Sequence, residues 1–450
     1  MNRKWIYGAG AALFLFLVIG TMCWSERGCR PAWSSESDAA LEAVEDGFLN
    51  VDRHYYSEAA SDFRRALDLD PQLAVAKLYL ILLYAGEPEQ HEHWWAELKA
   101  VPPESLSPRE RFLVGYFKTR EVDKDPQAAR VLLDEFLAGD AGRDDPFALT
   151  LLCSEEWALQ RWESARACYR RALEFHPSSV DAQSRLGLIA MAEGDFEAAE
   201  EGFRTSLYVA PDQATPHDSL GQLQTVRGRY EEAAASFGEA LEIRSDFCSA
   251  LHHRFRLYQL WGRADQAAAV LDTIEGIESC DHLVEWGAVC NGRAWVAAAH
   301  GEIDTARQIF DDGCLEKRGG FDSLAHRLAS EAGDFIVAVD MERALEEAIR
   351  IKIENGFQGR RSYLETLLPH MQGVRLAAQG KLGPACKAFQ KSDDLGLYWG
   401  LERSFLKLQN QGDLLRCYEK TGHAGGAAAA RERLRRVNPA YLESLDADSR

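Results

Sequence analysis

The sequence predicts an all-α protein, an α-solenoid of stacked antiparallel helix pairs preceded by one transmembrane helix. Three observations carry that expectation. Gly194, Phe196, Ala199 and Phe203 recur 34 residues later as Gly228, Tyr230, Ala233 and Phe237, and a fixed period of this length marks a repeat architecture. No sustained alternation of period two suggests a sheet, and alanine, leucine, glutamate and arginine dominate the periodic segments. The twenty residues WIYGAGAALFLFLVIGTMCW, 5–24, carry no charge.

The recurring positions explain the helix pair. Each unit has a helical run, a glycine turn and a second helical run ending near a proline. Gly194 and Gly228 suit a left-handed helix C-terminus, where a Cβ would clash. Ala199 and Ala233 are small where two helices approach. Phe203 and Phe237, four residues on, lie on the same face and fill the space beside that contact. Pro211 follows the second helix and cannot continue it. One 34-residue step earlier the series is Gln160, Trp162, Ala165 and Tyr169; one later it is Gly262, Ala264, Ala267 and Leu271. A lone pair cannot bury its apolar faces, so pairs must stack.

This pattern resembles the tetratricopeptide repeat. Gln183, Leu186, Gly187, Ala190, Ala199, Phe203 and Pro211 carry the resemblance in one unit. Leu220, Gly221, Tyr230, Ala233, Phe237 and Ala240 carry it in the next, and Gly47, Tyr56, Ala59, Phe63, Ala66 and Pro71 in an early copy. Later copies keep only a turn signature, at Gly301/Ile303/Ala306, Gly333/Phe335/Ala338, Gly380/Leu382/Ala385 and Gly412/Leu414/Cys417. No unit has tryptophan at its fourth position. The resemblance implies a right-handed solenoid over about residues 38–430. The expected organisation is a signal-anchor (1–24), a linker (25–37), degenerate repeats (38–145) and a well-formed array (146–274). Irregular repeats (275–423) and a capping helix with tail (424–450) complete it.

At 1.5 Å per residue, the apolar N-terminal run spans about 30 Å, the hydrocarbon thickness of a bilayer. Trp5, Tyr7 and Trp24 sit at its ends, where amphipathic rings prefer to lie. The run is longer than a usual signal-peptide core and no small-x-small cleavage site follows, so a retained anchor is expected, with a cleaved signal as the competing reading. Arg3 and Lys4 favour a cytoplasmic N-terminus, although Arg27 and Arg30 oppose them. The repeats are then expected outside the cytoplasm, in the periplasm if the source is bacterial.

Ten cysteines form no CxxC pair. In an antiparallel helix pair Cys290 comes near Cys314, and a disulfide there would fit an oxidising compartment. Buried free thiols are the competing reading, since Cys153 and Cys417 stand where packing residues are small. The net charge of −20 argues against nucleic acid. Residues 31–150 alone hold 24 acidic against 12 basic side chains, which favours a neutral or basic protein partner or serves only as a solvated surface.

No motif predicts catalysis, a metal site or a cofactor. HEHWW (91–95) places Trp95 where the second ligand of HExxH belongs, and His91 and His93 point to different sides of a helix. Adjacent His252 and His253 share that defect. AGGAAAAR (424–431) lacks the GK[ST] ending of a phosphate loop. The resemblance instead implies a partner-binding groove, because in tetratricopeptide arrays a stripe of first-helix residues lines the inner surface. Here the stripe includes Ser154, Trp157, Ser184, Leu188, Met191, Asp218, Gln222, His252 and Arg256. The lysine-and-asparagine carboxylate clamp of chaperone-binding members is not matched. The leading function is therefore a membrane-tethered scaffold for protein or peptide partners in cell-envelope assembly or organisation. The alternative is an accessory or catalytic subunit with a ligand site in residues 275–423.

Overall fold

The computed structural model describes residues 33–448 apart from 54, 85–87, 176, 178, 286, 315–321, 355–357 and 399. The expected N-terminal anchor, most of the linker and the turn at 316–321 lie outside the described residues. Among those described there are helices and no strands, and no helix is long and apolar enough to cross a membrane. The chain divides into two compact units after Leu186, within the helix Val180–Glu193. The sequence pattern places no boundary there, because the 34-residue register runs straight through that helix.

In the first unit, helices Asp38–Asp52 and Tyr56–Leu69 form a hairpin, and Pro146–Ala158 and Trp162–Phe175 form another. Trp33, within the expected linker, is buried, 5.0 Å edge-on to Phe147, and packs with Phe48. The Arg109 guanidinium lies over both Trp33 and Phe147 and donates to Asp145 at 2.5 Å. Ser34 is tied to Glu110 through backbone and hydroxyl. The proline-rich break at 101–108 is a short 3₁₀ turn, Pro103–Ser105, followed by a helix that Ser107 and Glu110 open with a reciprocal capping box.

The second unit repeats the hairpin through Phe196–Val209, Ala214–Val226, Tyr230–Ile243, Cys248–Trp261 and Ala264–Glu275. Its turns close on glycines with positive φ, Gly194 at +81°, Gly228 at +73° and Gly262 at +71°, and Gly301, Gly333 and Gly380 do the same. Gly412 does not. It lies inside the long helix Gly400–Lys420, and the turn falls at Gly422. What Gly412 supplies is clearance, since a Cβ there would stand 3.0 Å from the Tyr441 hydroxyl. The terminal helix Ala424–Val437 ends at Asn438, and a further helix, Pro439–Asp448, follows it.

The small residue that admits each phenylalanine is a glycine sixteen positions earlier. A Cβ on Gly187 would lie 2.7 Å from the Phe203 ring, and one on Gly221 2.6 Å from Phe237. Gly47 meets Phe63 in the first unit and Gly373 meets Phe389 late in the second. All four rings are buried.

Eight cysteines make four disulfides: Cys153–Cys168, Cys248–Cys280, Cys290–Cys314 and Cys386–Cys417. Cys153 and Cys417 are therefore bonded as well as packed, and every bridge joins neighbouring segments of one unit.

The ring-to-glycine contact makes a direct prediction. Gly221→Ala overpacks the hairpin and should lower stability by about 1–3 kcal/mol. Adding Phe237→Leu, which vacates part of the space, should recover some of that loss. Chemical denaturation of the two single variants and the double variant checks the non-additivity.

Candidate inner surface and what occupies it

The predicted stripe does not lie open. In the first unit Ser154, Trp157 and Ser184 are buried. Trp157 packs edge-on to Trp162 at 5.6 Å, and the Arg185 guanidinium lies 4.9 Å above its ring. Arg185 also donates to Asp181 at 3.2 Å. Asp52 and Asp181 are both buried in this region. Burial, with the charge of Asp181 added, pushes the Asp52 carboxyl up to about 7. Burial likewise lifts Asp181 to about 6 against the opposing pull of Arg185.

In the second unit Met191, Asp218 and Gln222 are buried, while Leu188, His252 and Arg256 are partly covered. The cover is the chain's own helix Gly400–Lys420. Arg256 grips Glu402 with two parallel bonds, Nε to Oε1 at 2.6 Å and Nη2 to Oε2 at 2.8 Å. His252 Nε2 meets the same Oε1 at 2.6 Å. The packing around Glu402 opposes its ionisation, but Arg256 and His252 outweigh that and hold it well below the ordinary carboxylate range. Arg256 also stacks 5.3 Å from the Phe405 ring and donates to Gln259. His253 turns away to Asp218, at 2.8 Å, and Gln222 donates to that same carboxylate. The adjacent histidines thus bond two separate carboxylates, Glu402 and Asp218.

Leu401, Leu408 and Leu415 extend this cover and share one core with Leu220, Leu223, Leu251 and Phe255. Further along the chain Asn438 is fully buried. It donates from Nδ2 to the Thr225 carbonyl at 3.2 Å and accepts from the Tyr230 hydroxyl at 3.2 Å. Gly228 makes room for it, since a Cβ there would come 2.4 Å from Asn438 Oδ1. Phe196 meets Tyr398 edge-on at 5.5 Å. None of these contacts has a sequence signal, because the partners stand more than 140 positions apart.

The remaining motifs are structural. Trp95 is buried and donates from Nε1 to His91 Nε2 at 3.2 Å, so HEHWW is a packed helix segment. Among the described residues no group of three or more His, Cys, Asp or Glu side chains is arranged to hold a metal ion.

Comparison with known proteins agrees with the hairpin reading at one place. A tetratricopeptide repeat family model matches residues 180–213. No curated protein is similar enough in sequence to count as a relative. Among solved structures, the APC/C hetero-tetramer Cut9–Hcn1 shares 14% identity over 90% of this chain and 75% of its own, with a TM-score of 0.49. A tetratricopeptide repeat protein of Thermus thermophilus shares 20% identity over 43% of this chain and 95% of its own, at 0.33. YrrB, described as a TPR protein with an unusual peptide-binding site, shares 15% over 45% and 97%, at 0.31. Residues 180–213 thus match a tetratricopeptide repeat, within a chain whose described residues form helices and no strands.

The buried carboxylates of the first unit give a pH signature. Both folded-state values lie above the ordinary 3.8. The stability these groups contribute is therefore fully present below about pH 4 and lost as pH rises towards 7. Asp52→Asn removes the ionising group, so its stabilising effect relative to wild type should grow from pH 5 to pH 8. Thermal melts of both proteins across that range check the sign.

Proposed function

We propose that the protein is a membrane-tethered scaffold that binds protein or peptide partners and serves in cell-envelope assembly or organisation. The observation that carries this reading is the recurrence of one Gly-to-Phe locked hairpin at four places, in a chain whose residues 180–213 match a tetratricopeptide repeat. In the second unit the partly exposed rim of the inner stripe is Leu188 with the Glu402 carboxylate that His252 and Arg256 hold, itself two-fifths exposed. An apolar contact next to a charged cluster suits a peptide that needs both an anchor and a fixed register. The acidic balance of the chain favours a neutral or basic partner.

Four disulfides support placement in an oxidising compartment, where such bonds persist. That agrees with a cytoplasmic N-terminus, a spanning segment at 5–24 and repeats on the far side. Tethering confines the repeats to two dimensions and raises their effective concentration beside membrane partners.

The test is affinity capture from gently detergent-solubilised membranes, comparing wild type with a Leu188→Ala/His252→Gln variant whose melting is checked first. A partner held by wild type and lost by the folded variant is the expected result. Equal capture by both removes the inner stripe from the reading, and recovery of a chain lacking residues 1–24 in the carbonate-washed membrane pellet removes the tether.

A further inference from the structure

We propose that His370 is a proton-operated latch in the second unit: a proton taken up at its Nε2 draws Asp413 away from Arg327 and releases the helix Ser323–Glu331 from the helix Gly400–Lys420. The latch is independent of the scaffold reading, which uses other residues.

His370 is buried within the helix Gln358–Ala378, directly after Pro369. Pro369 has no N–H to bond the carbonyl of residue 365, so the helix ladder lacks a rung in the turn that leads to the histidine. The neighbour of the imidazole sets its tautomer. Asn410 Nδ2 donates to the Phe389 carbonyl at 2.9 Å, which leaves Asn410 Oδ1 as the acceptor facing His370 Nδ1 at 3.1 Å. Nδ1 therefore carries the hydrogen, and Nε2 presents a lone pair. That lone pair stands 3.9 Å from Asp413 Oδ2, near it but unbonded, as two acceptors must be. The same oxygen accepts from Arg327 Nη2 at 2.5 Å. One carboxylate oxygen on Gly400–Lys420 thus holds Ser323–Glu331 while a second, silent partner waits beside it.

A single proton changes the partners. On Nε2 it turns a lone pair into a charged donor aimed at Asp413, and Arg327 must then share its oxygen with a second cation. Arg327 also stands 3.8 Å from Glu331, but that residue is on its own helix and holds nothing across the junction. The other charged groups around His370 are already engaged. His326, from Ser323–Glu331, meets Glu342 at 3.0 Å, and Arg375 grips the same carboxylate with two bonds. Arg416, on Gly400–Lys420, acts on Asp413 as well, and from Leu382–Leu395 the Phe389 ring lies 5.9 Å from the imidazole. Burial pushes His370 down to about 4; Asp413 pulls it up, and Arg327 and His326 oppose that pull. The folded value lies below the ordinary 6.5, so the stability this group contributes is present above about pH 6.5 and lost as pH falls towards 4. Acid therefore favours the released state.

Hydrogen exchange of the full chain tests the latch, read by mass spectrometry at pH 7.5 and pH 5 and corrected for the intrinsic pH dependence of exchange. Residues 323–331 are compared with the helix Tyr230–Ile243 of the same unit, and wild type with His370→Gln and Asp413→Asn. The expected result in wild type is a loss of protection at 323–331 of about tenfold or more on acidification, exceeding any loss at 230–243. His370→Gln should abolish that acid loss, and Asp413→Asn should leave 323–331 poorly protected at both pH values. A smaller wild-type loss, or one shared by 230–243, overturns the proposal without any variant having to fold. The same acid loss in a folded His370→Gln chain, or full protection of 323–331 in a folded Asp413→Asn chain, overturns it as well.

Discussion

A phenylalanine ring seated on a glycine sixteen residues earlier is the contact on which the helix pairing depends. The ring comes close enough that no Cβ fits between, so two helices meet at one depth and in one register. The alanines beside it, Ala199 and Ala233, let the rest of the face follow. The same lock recurs as Gly47–Phe63, Gly187–Phe203, Gly221–Phe237 and Gly373–Phe389, so these four hairpins bring their two helices together in the same way. Within each unit, the stacking of neighbouring hairpins follows from that repetition.

Repetition also produces a stripe that must be met by something. In the second unit the chain meets it with its own helix Gly400–Lys420, through a bidentate ion pair at one end and a leucine row along the length. Covering the Arg256 guanidinium is costly, and the pairing offsets that cost by satisfying both Glu402 oxygens, one of which stays partly in water, while His252 adds a third bond. Asn438 closes a second point, with Gly228 cleared for it. A turn glycine thus serves twice, once for its positive φ and once for the space it leaves.

Local features were legible in the sequence because they recur at short range. The 34-residue spacing identified the hairpins, the positive-φ turns at Gly194, Gly228 and Gly262, and the ring positions at Phe203 and Phe237. The role of Gly187 and Gly221 was hidden because a helical glycine carries no side-chain signal, and Gly412 misled because an isolated glycine reads equally as a turn or as clearance. Cys290 and Cys314 were within reach of a helix-pair argument, whereas Cys248–Cys280 and Cys386–Cys417 depend on the path of the later, irregular segments. The inner stripe was identified as a row but not as an occupied one. Glu402 sits 146 residues from Arg256, and nothing in a repeat of 34 specifies what folds back from outside it.

The claim that the chain fills its own inner stripe is tested most directly by a double-mutant cycle on Arg256→Ala and Glu402→Ala, measured by equilibrium denaturation of the full chain. The structure predicts a coupling free energy above about 1 kcal/mol between these positions, because both side chains lose the same two bonds. Strictly additive losses would mean that the two residues do not meet, and would return the inner stripe of the second unit to open solvent.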